Sequence, residues 1–175
     1  MKIIMIYDQI QAGAGTKDDK MVPLAAKKEP VGPAVMMEPF LKEVDGHVVA
    51  CLYCGNGTYL ENKDEVARKL AAMVHKLQPD VVMCGPAFNY ADYAGMAAHV
   101  ATLINEKTTV PAFAAMSEEN VDVIAEYQDK VLIVKTPKKG GTGLNAALKN
   151  MCTLAKALSE KQNTDTMKND FCFHS

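Results

Sequence analysis

The sequence has no surplus of charge of either sign: 19 Lys and Arg stand against 21 Asp and Glu. A chain so balanced presents no broad basic field, so neither nucleic acid nor an anionic membrane is expected as a partner. It also lacks any apolar run near the roughly 20 residues that a bilayer-crossing helix needs. Met1-Lys2 leads directly into IIMIY with no cleavable signal pattern, and a cytoplasmic location is expected. The five cysteines are an odd number without a second pair at zinc spacing, which predicts reduced thiols, no disulfide framework and no metal site. Gly13-Ala14-Gly15 is like a phosphate-binding turn. However, the third glycine of a dinucleotide fingerprint is missing and no Gly-Lys-Ser/Thr follows. No cofactor is expected.

What is present is a repeated layout, in which a short apolar run leads into a loop of small and polar residues and then a helical pattern. The stretch Asp80–Asn89, DVVMCGPAFN, is its centre: an apolar strand running into a Gly-Pro turn. The same layout predicts strands at Lys2–Tyr7, His47–Tyr53, Val110–Ala114 and Val131–Val134. Helical stripes run through Val66, Leu70, Val74 and Leu77, through Met96, Val100 and Leu103, and through Leu144, Leu148, Met151 and Leu158. Asn62 with Glu65 resembles a capping box, and Ser117 is placed to cap a helix running toward Tyr127. A helix over Pro33–Val44 should break or kink at Pro39.

Strands alternating with helices predict an α/β fold, a three-layer sandwich around a mainly parallel five-stranded sheet of flavodoxin- or Rossmann-like build. Ligands of such folds bind outside the carboxyl ends of the strands. Residues 1–158 are expected to form one domain and 159–175 a polar, flexible tail. Asp8–Gly32 shows no sustained period and starts at a strand end, where a loop so long is expected to act as a lid.

The candidate chemistry lies in the loops. Cys51 and Cys54 match C-x-x-C, but Cys51 sits inside a strand, where residues three apart face opposite sides, and reads as a small buried hydrophobe. Cys54 ends that strand beside Gly55 and Asn56. There a stabilised thiolate acting as nucleophile and a buried turn cysteine are both open. Asn89 is either a pocket amide or a helix cap. Gly140, Gly141 and Thr142 precede a helix and form either an anion site or a plain glycine turn.

Several stretches together resemble the N-terminal half of the selenoprotein B subunit of the glycine, sarcosine and betaine reductases. They are YDQIQAGAG (Tyr7–Gly15), KKEPVGPA (Lys27–Ala34), CGNGTYLEN (Cys54–Asn62), CGPAFNYADYAG (Cys84–Gly95) and VPAFAAMSEEN (Val110–Asn120), in the family's order. The resemblance implies reductive cleavage of a C–N bond in a small amine or amino acid, in anaerobic metabolism. It also implies other reductase-complex subunits as partners, and an oligomer. Pocket candidates are Gly13, Gly15, Gly55, Asn56, Asn62, Gly85, Pro86, Asn89, Ser117, Glu118 and Asn120, with Cys54 as the catalytic candidate. Two departures stand out. The family's selenocysteine lies in a second half that has no equivalent here, and Pro39 and Asn56-Gly57-Thr58 differ from the family's pattern. The expected role is therefore substrate binding and assembly beside a partner that carries the reactive selenium or sulfur. The alternative is a flavodoxin-like small-ligand-binding protein without catalysis.

Overall fold

Six strands and eight helices alternate along the chain in the computed structural model, which describes residues 1–175. The strands are β1 (Lys2–Tyr7), β2 (Ala25–Lys27), β3 (His47–Tyr53), β4 (Val81–Cys84), β5 (Ala112–Met116) and β6 (Ile133–Lys135). They form one sheet in the order β2-β3-β1-β4-β5-β6, parallel throughout except for β2, which runs antiparallel along β3. Without β2, the order is that of a doubly wound flavodoxin-like sheet, as expected.

The central strand reads as a continuous apolar run because it is covered on both faces. Residues 3–7 of β1 are all buried, as are all of β4 and β5. On one face, α4 (Lys63–Leu77) packs against α5 (Ala91–Lys107), which in turn meets α3 (Asn56–Glu61) and α6 (Val121–Tyr127). The helices α2 (Glu38–Glu43) and α7 (Leu144–Ser159) pack together on the other. The alanines of α5 at 94, 97, 98 and 101 are all buried and let this helix lie close on β4 and β5.

Several expectations shift in the structure. The sheet has six strands rather than five, because β2 forms within the aperiodic segment 8–32. The expected helix over 33–44 divides into α1 (Pro33–Met36) and α2, with Pro39 in the first turn of the second piece, where its missing N–H costs nothing. Strand β5 begins after Pro111, which has no N–H for the ladder. Strand β6 begins after Val131, whose N–H is taken by the Tyr127 carbonyl at the end of α6. Asn62 stands at the N-cap of α4 without a side-chain capping bond, and Glu65 pairs with Lys69 at 3.2 Å instead of closing a capping box. Ser117 is not the cap of α6; that position is Asn120.

Within residues 159–175, helix α8 (Asp165–Phe171) is followed by a fully buried Cys172 that bridges to Val134, and the Phe173 N–H donates to the Ile133 carbonyl. The polar composition there hid one buried thiol between two aromatic rings. No helix is long and apolar enough to cross a membrane.

Candidate functional site

The crevice in a doubly wound sheet lies where the chain switches direction across the sheet, here between β1 and β4. Asp8 and Gln9 leave β1 at this point and are both fully buried. The Asp8 Oδ1 accepts the Gln11 N–H at 2.8 Å, and its Oδ2 stands 3.5 Å from Asn56 Nδ2. Gln9 Oε1 accepts the Asn56 N–H at 3.0 Å, so two side chains just past β1 meet the turn that follows β3. Burial pushes the Asp8 carboxyl above the ordinary carboxylate range, and the bonds from Gln11 and Asn56 offset only part of this. Asn56 Oδ1 is buried with no partner. Turning that amide over would set Oδ1 against Asp8, a pairing that a protonated carboxyl could satisfy by donating.

The segment 8–32 closes over this point. The Gly55 N–H donates to the Val22 carbonyl at 2.8 Å, and the Gly57 and Thr58 N–H groups both donate to the Lys20 carbonyl. Thr58 Oγ1 adds a bond to Val22 at 2.8 Å. These contacts occupy the first N–H groups of α3. A Cβ on Gly55 would lie 2.0 Å from the Lys20 carbonyl oxygen, so only glycine permits the approach. Gly13 adopts the left-handed conformation at the turn beside Lys27, whose Nζ donates to the Ala12 carbonyl at 2.7 Å.

Cys54 is fully buried, with its thiol 3.7 Å from the Met96 sulfur. Burial, and then the nearby Asp8 charge, pushes the thiol up to about 12. The glycines beside it do not stabilise a thiolate, because their N–H groups are spent on segment 20–22. Of the two readings of Cys54, the geometry corresponds to a buried turn thiol.

On the other side of the switch point, Gly85 and Pro86 are joined by a cis bond, and Gly85 has φ 137 with the Ala115 carbonyl oxygen 2.6 Å from where a Cβ would lie. Phe88 is buried in the left-handed conformation (φ 51). Its carbonyl accepts the Ser117 N–H at 3.0 Å and Asn120 Nδ2 at 2.7 Å, and Lys139 Nζ lies 5.2 Å over its ring. The Asn89 Oδ1 accepts the Lys139 N–H at 2.9 Å, so this side chain ties the loop after β6 to the loop after β4 and caps no helix. Ser117 Oγ is buried without a partner.

The structure thus brings together Gly55, Asn56, Gly85, Pro86, Asn89, Ser117 and Asn120 along one edge of the sheet. Asn62 and Glu118 are exposed, and Gly15 packs against Asp19 in the covering segment. Gly140, Gly141 and Thr142 lie in the turn before α7, where the Gly141 N–H is already taken by the Lys138 carbonyl. A cleft of about 400 Å³ opens there, lined by Glu118, Lys135, Thr136, Lys138 and Gly141 among others. Asp8 and Gln9 are the residues that sequence reasoning passed over. Their signal was two polar residues directly after the first apolar run. No three His, Cys, Asp or Glu side chains converge as metal ligands would.

A family model described as glycine/sarcosine/betaine reductase selenoprotein B matches residues 1–175. Among curated proteins, the chain is 27% identical over 162 residues to the glycine reductase complex component B subunit gamma of Symbiobacterium thermophilum, covering 93% of this chain and 37% of that one. It is 28% identical to the sarcosine reductase complex component B subunit beta of Peptoclostridium acidaminophilum, covering 92% and 36%. It is 30% identical over 140 residues to the component B subunit gamma of Carboxydothermus hydrogenoformans, covering 80% and 32%. The chain spans about a third of the length of these relatives. No solved structure matches it.

Proposed function

The chain belongs to the glycine/sarcosine/betaine reductase selenoprotein B family, and from that premise we propose that it is the substrate-side unit of a reductase-type assembly. In this reading it contributes a binding edge for a small amine or amino acid and a surface for other subunits. The reactive selenium or sulfur that completes C–N cleavage is carried outside these residues. The observation that carries the proposal is the match of the family model along all 175 residues.

The chemistry of the edge supports the same reading. A carboxylate that burial disfavours, as at Asp8, is stabilised when a cationic group comes to it, and an amine or quaternary ammonium is such a group. Asn56 Oδ1 and Ser117 Oγ are buried acceptors without partners, and polar ligand atoms would satisfy them. Binding requires residues 20–22 to lift from Gly55, Gly57 and Thr58, which gives that part of the segment the role of a lid. Cys54 acts as a packing residue in this scheme and performs no covalent step.

The test is affinity capture of the protein from its anaerobically grown source cells, with the bound chains identified by mass spectrometry. Co-purification of a chain bearing selenocysteine or a reactive cysteine pair is the expected result. Recovery of the protein alone would overturn the assembly role. A second reading, a flavodoxin-like ligand-binding protein without catalysis, draws on the strand order of the sheet. A flavin absorbance band in the purified protein would favour it.

A further inference from the structure

Away from the carboxyl edge, a cleft of about 480 Å³ runs between α4 and α5. Its walls are two stripes at helical spacing: Asp64, Arg68 and Ala72 on α4, and His99, Leu103 and Lys107 on α5. Ala71 and Ala72 leave open the space that longer side chains would fill, so the floor is apolar and the volume is that of a small-molecule pocket.

The rim is not neutral. Arg68 is the only arginine of the chain, and neither it nor Lys107 makes an ion pair or a side-chain hydrogen bond within the protein. These two cationic side chains share the lining with one carboxylate, that of Asp64. His99 lines the groove as well, and the charges acting on it are Asp64, Lys63, Glu126 and Glu106. Tyr59, which is kept protonated by burial, stands with its hydroxyl 2.7 Å from His99 Nδ1. With that hydroxyl donating, the ring carries its proton on Nε2. This nitrogen stands 3.6 Å from Asp64 Oδ1, beyond a good hydrogen bond. The Asp64 side chain is fully exposed. A carboxylate of the protein itself thus rests loosely at the polar end of an apolar groove, beside an arginine whose planar fork suits bidentate pairing.

We propose that the α4–α5 groove binds a small carboxylic acid with an apolar body. Its carboxylate would take the place of Asp64 between Arg68 and the His99 Nε2–H, and its hydrocarbon part would lie on Ala72 and Leu103. The site is separate from the carboxyl edge and does not depend on the reductase reading.

The test is a titration of the isotopically labelled 175-residue chain with phenylacetate, followed by backbone amide shifts. Phenylacetamide, which has the same shape without the charge, is the control. Shifts confined to the groove, among them Ala72, His99 and Leu103, are expected below about 10 mM phenylacetate, with weaker binding of the amide. Arg68→Gln should weaken phenylacetate about tenfold, the effect of losing one charge-assisted pair. Asp64→Asn should tighten it, because a competing negative charge is removed. Both positions are exposed, so neither variant threatens the fold. Equal binding of acid and amide, shifts scattered over surface lysines, no shift at all, or binding indifferent to Arg68→Gln would each overturn the proposal.

Discussion

Asn120 donates from Nδ2 to the carbonyl oxygen of Phe88 at 2.7 Å, and so joins the loop after β5 to the loop after β4. The bond is buried and leaves Phe88 fixed in its left-handed conformation. Asn120→Ala removes two bonds, this one and that from Nδ2 to the Ser117 carbonyl at 3.1 Å, and leaves the Phe88 carbonyl with the Ser117 N–H alone. A loss of about 1–3 kcal/mol is expected from urea unfolding. Asn120→Asp should cost a similar amount at neutral pH, because an ionised carboxylate cannot donate. A loss below about 0.5 kcal/mol for both, the usual range of surface substitutions, would show that the two loops are held by other contacts.

Asp8 should make the fold respond to pH. Burial raises its pKa in the folded chain above the ordinary value of 3.8. As pH rises from that value to the raised one, the unfolded chain has released the proton while the folded chain still holds it. The carboxyl therefore costs the fold progressively more stability through this window and a constant amount above it. Asp8→Asn removes the cost, and its Nδ2 can donate to the orphaned Asn56 Oδ1 once that amide turns over. The variant should be more stable than the parent at neutral pH, with no such gain below the ordinary carboxylate range. Urea midpoints at the two pH values decide the matter, and a less stable variant at neutral pH would contradict it.

Gly55→Ala tests the closure of segment 8–32. The added methyl would meet the Lys20 carbonyl oxygen at 2.0 Å, although the backbone at Gly55 (φ −71) suits any residue. The cost is thus steric alone, about 1–3 kcal/mol as for other overpacked sites. Trypsin should cut the variant faster at Lys17 or Lys20, both of them exposed. Unchanged cleavage there together with unchanged stability would mean that the segment yields without strain.

The five thiols are all buried and free. Cys54 and Cys152 are pushed up to about 12 and Cys172 to about 11, chiefly by burial. At about pH 8, near the pKa of an unperturbed thiol, a disulfide reagent should therefore find almost no reactive group in the native protein. All five should react after denaturation. A fast native thiol that disappears in Cys54→Ser would return Cys54 to the role of nucleophile.

The sequence made the main scaffold legible where burial is complete. The runs IIMIY and VVMC, short and closed by turn residues, read as covered strands, and the stripe Val66, Leu70, Val74 and Leu77 between Asn62 and Pro79 marks α4. What stayed hidden depends on contacts between distant segments. Strand β2 has two half-buried residues about an exposed Ala26 and exists because β3 offers an edge, so it has no apolar pattern of its own. The capping box expected at Asn62 gave way to the Glu65–Lys69 pair on the same helix, and Ser117 stands too early for the cap of α6, with its N–H given to the Phe88 carbonyl. At the candidate site, the glycines and Asn89 were visible as loop residues at strand ends. Asp8 was not, because its importance lies in being wholly enclosed, which no local spacing reports.

The two margins of the sheet carry one more consequence. Beyond β3 the short antiparallel β2 takes up the outer ladder, and beyond β6 the C-terminal residues Cys172 and Phe173 pair with Val134 and Ile133. Neither margin presents a long, open row of backbone groups that a foreign strand could extend. A second chain would find no extended strand edge on which to add, which also withholds a template for fibrous aggregation.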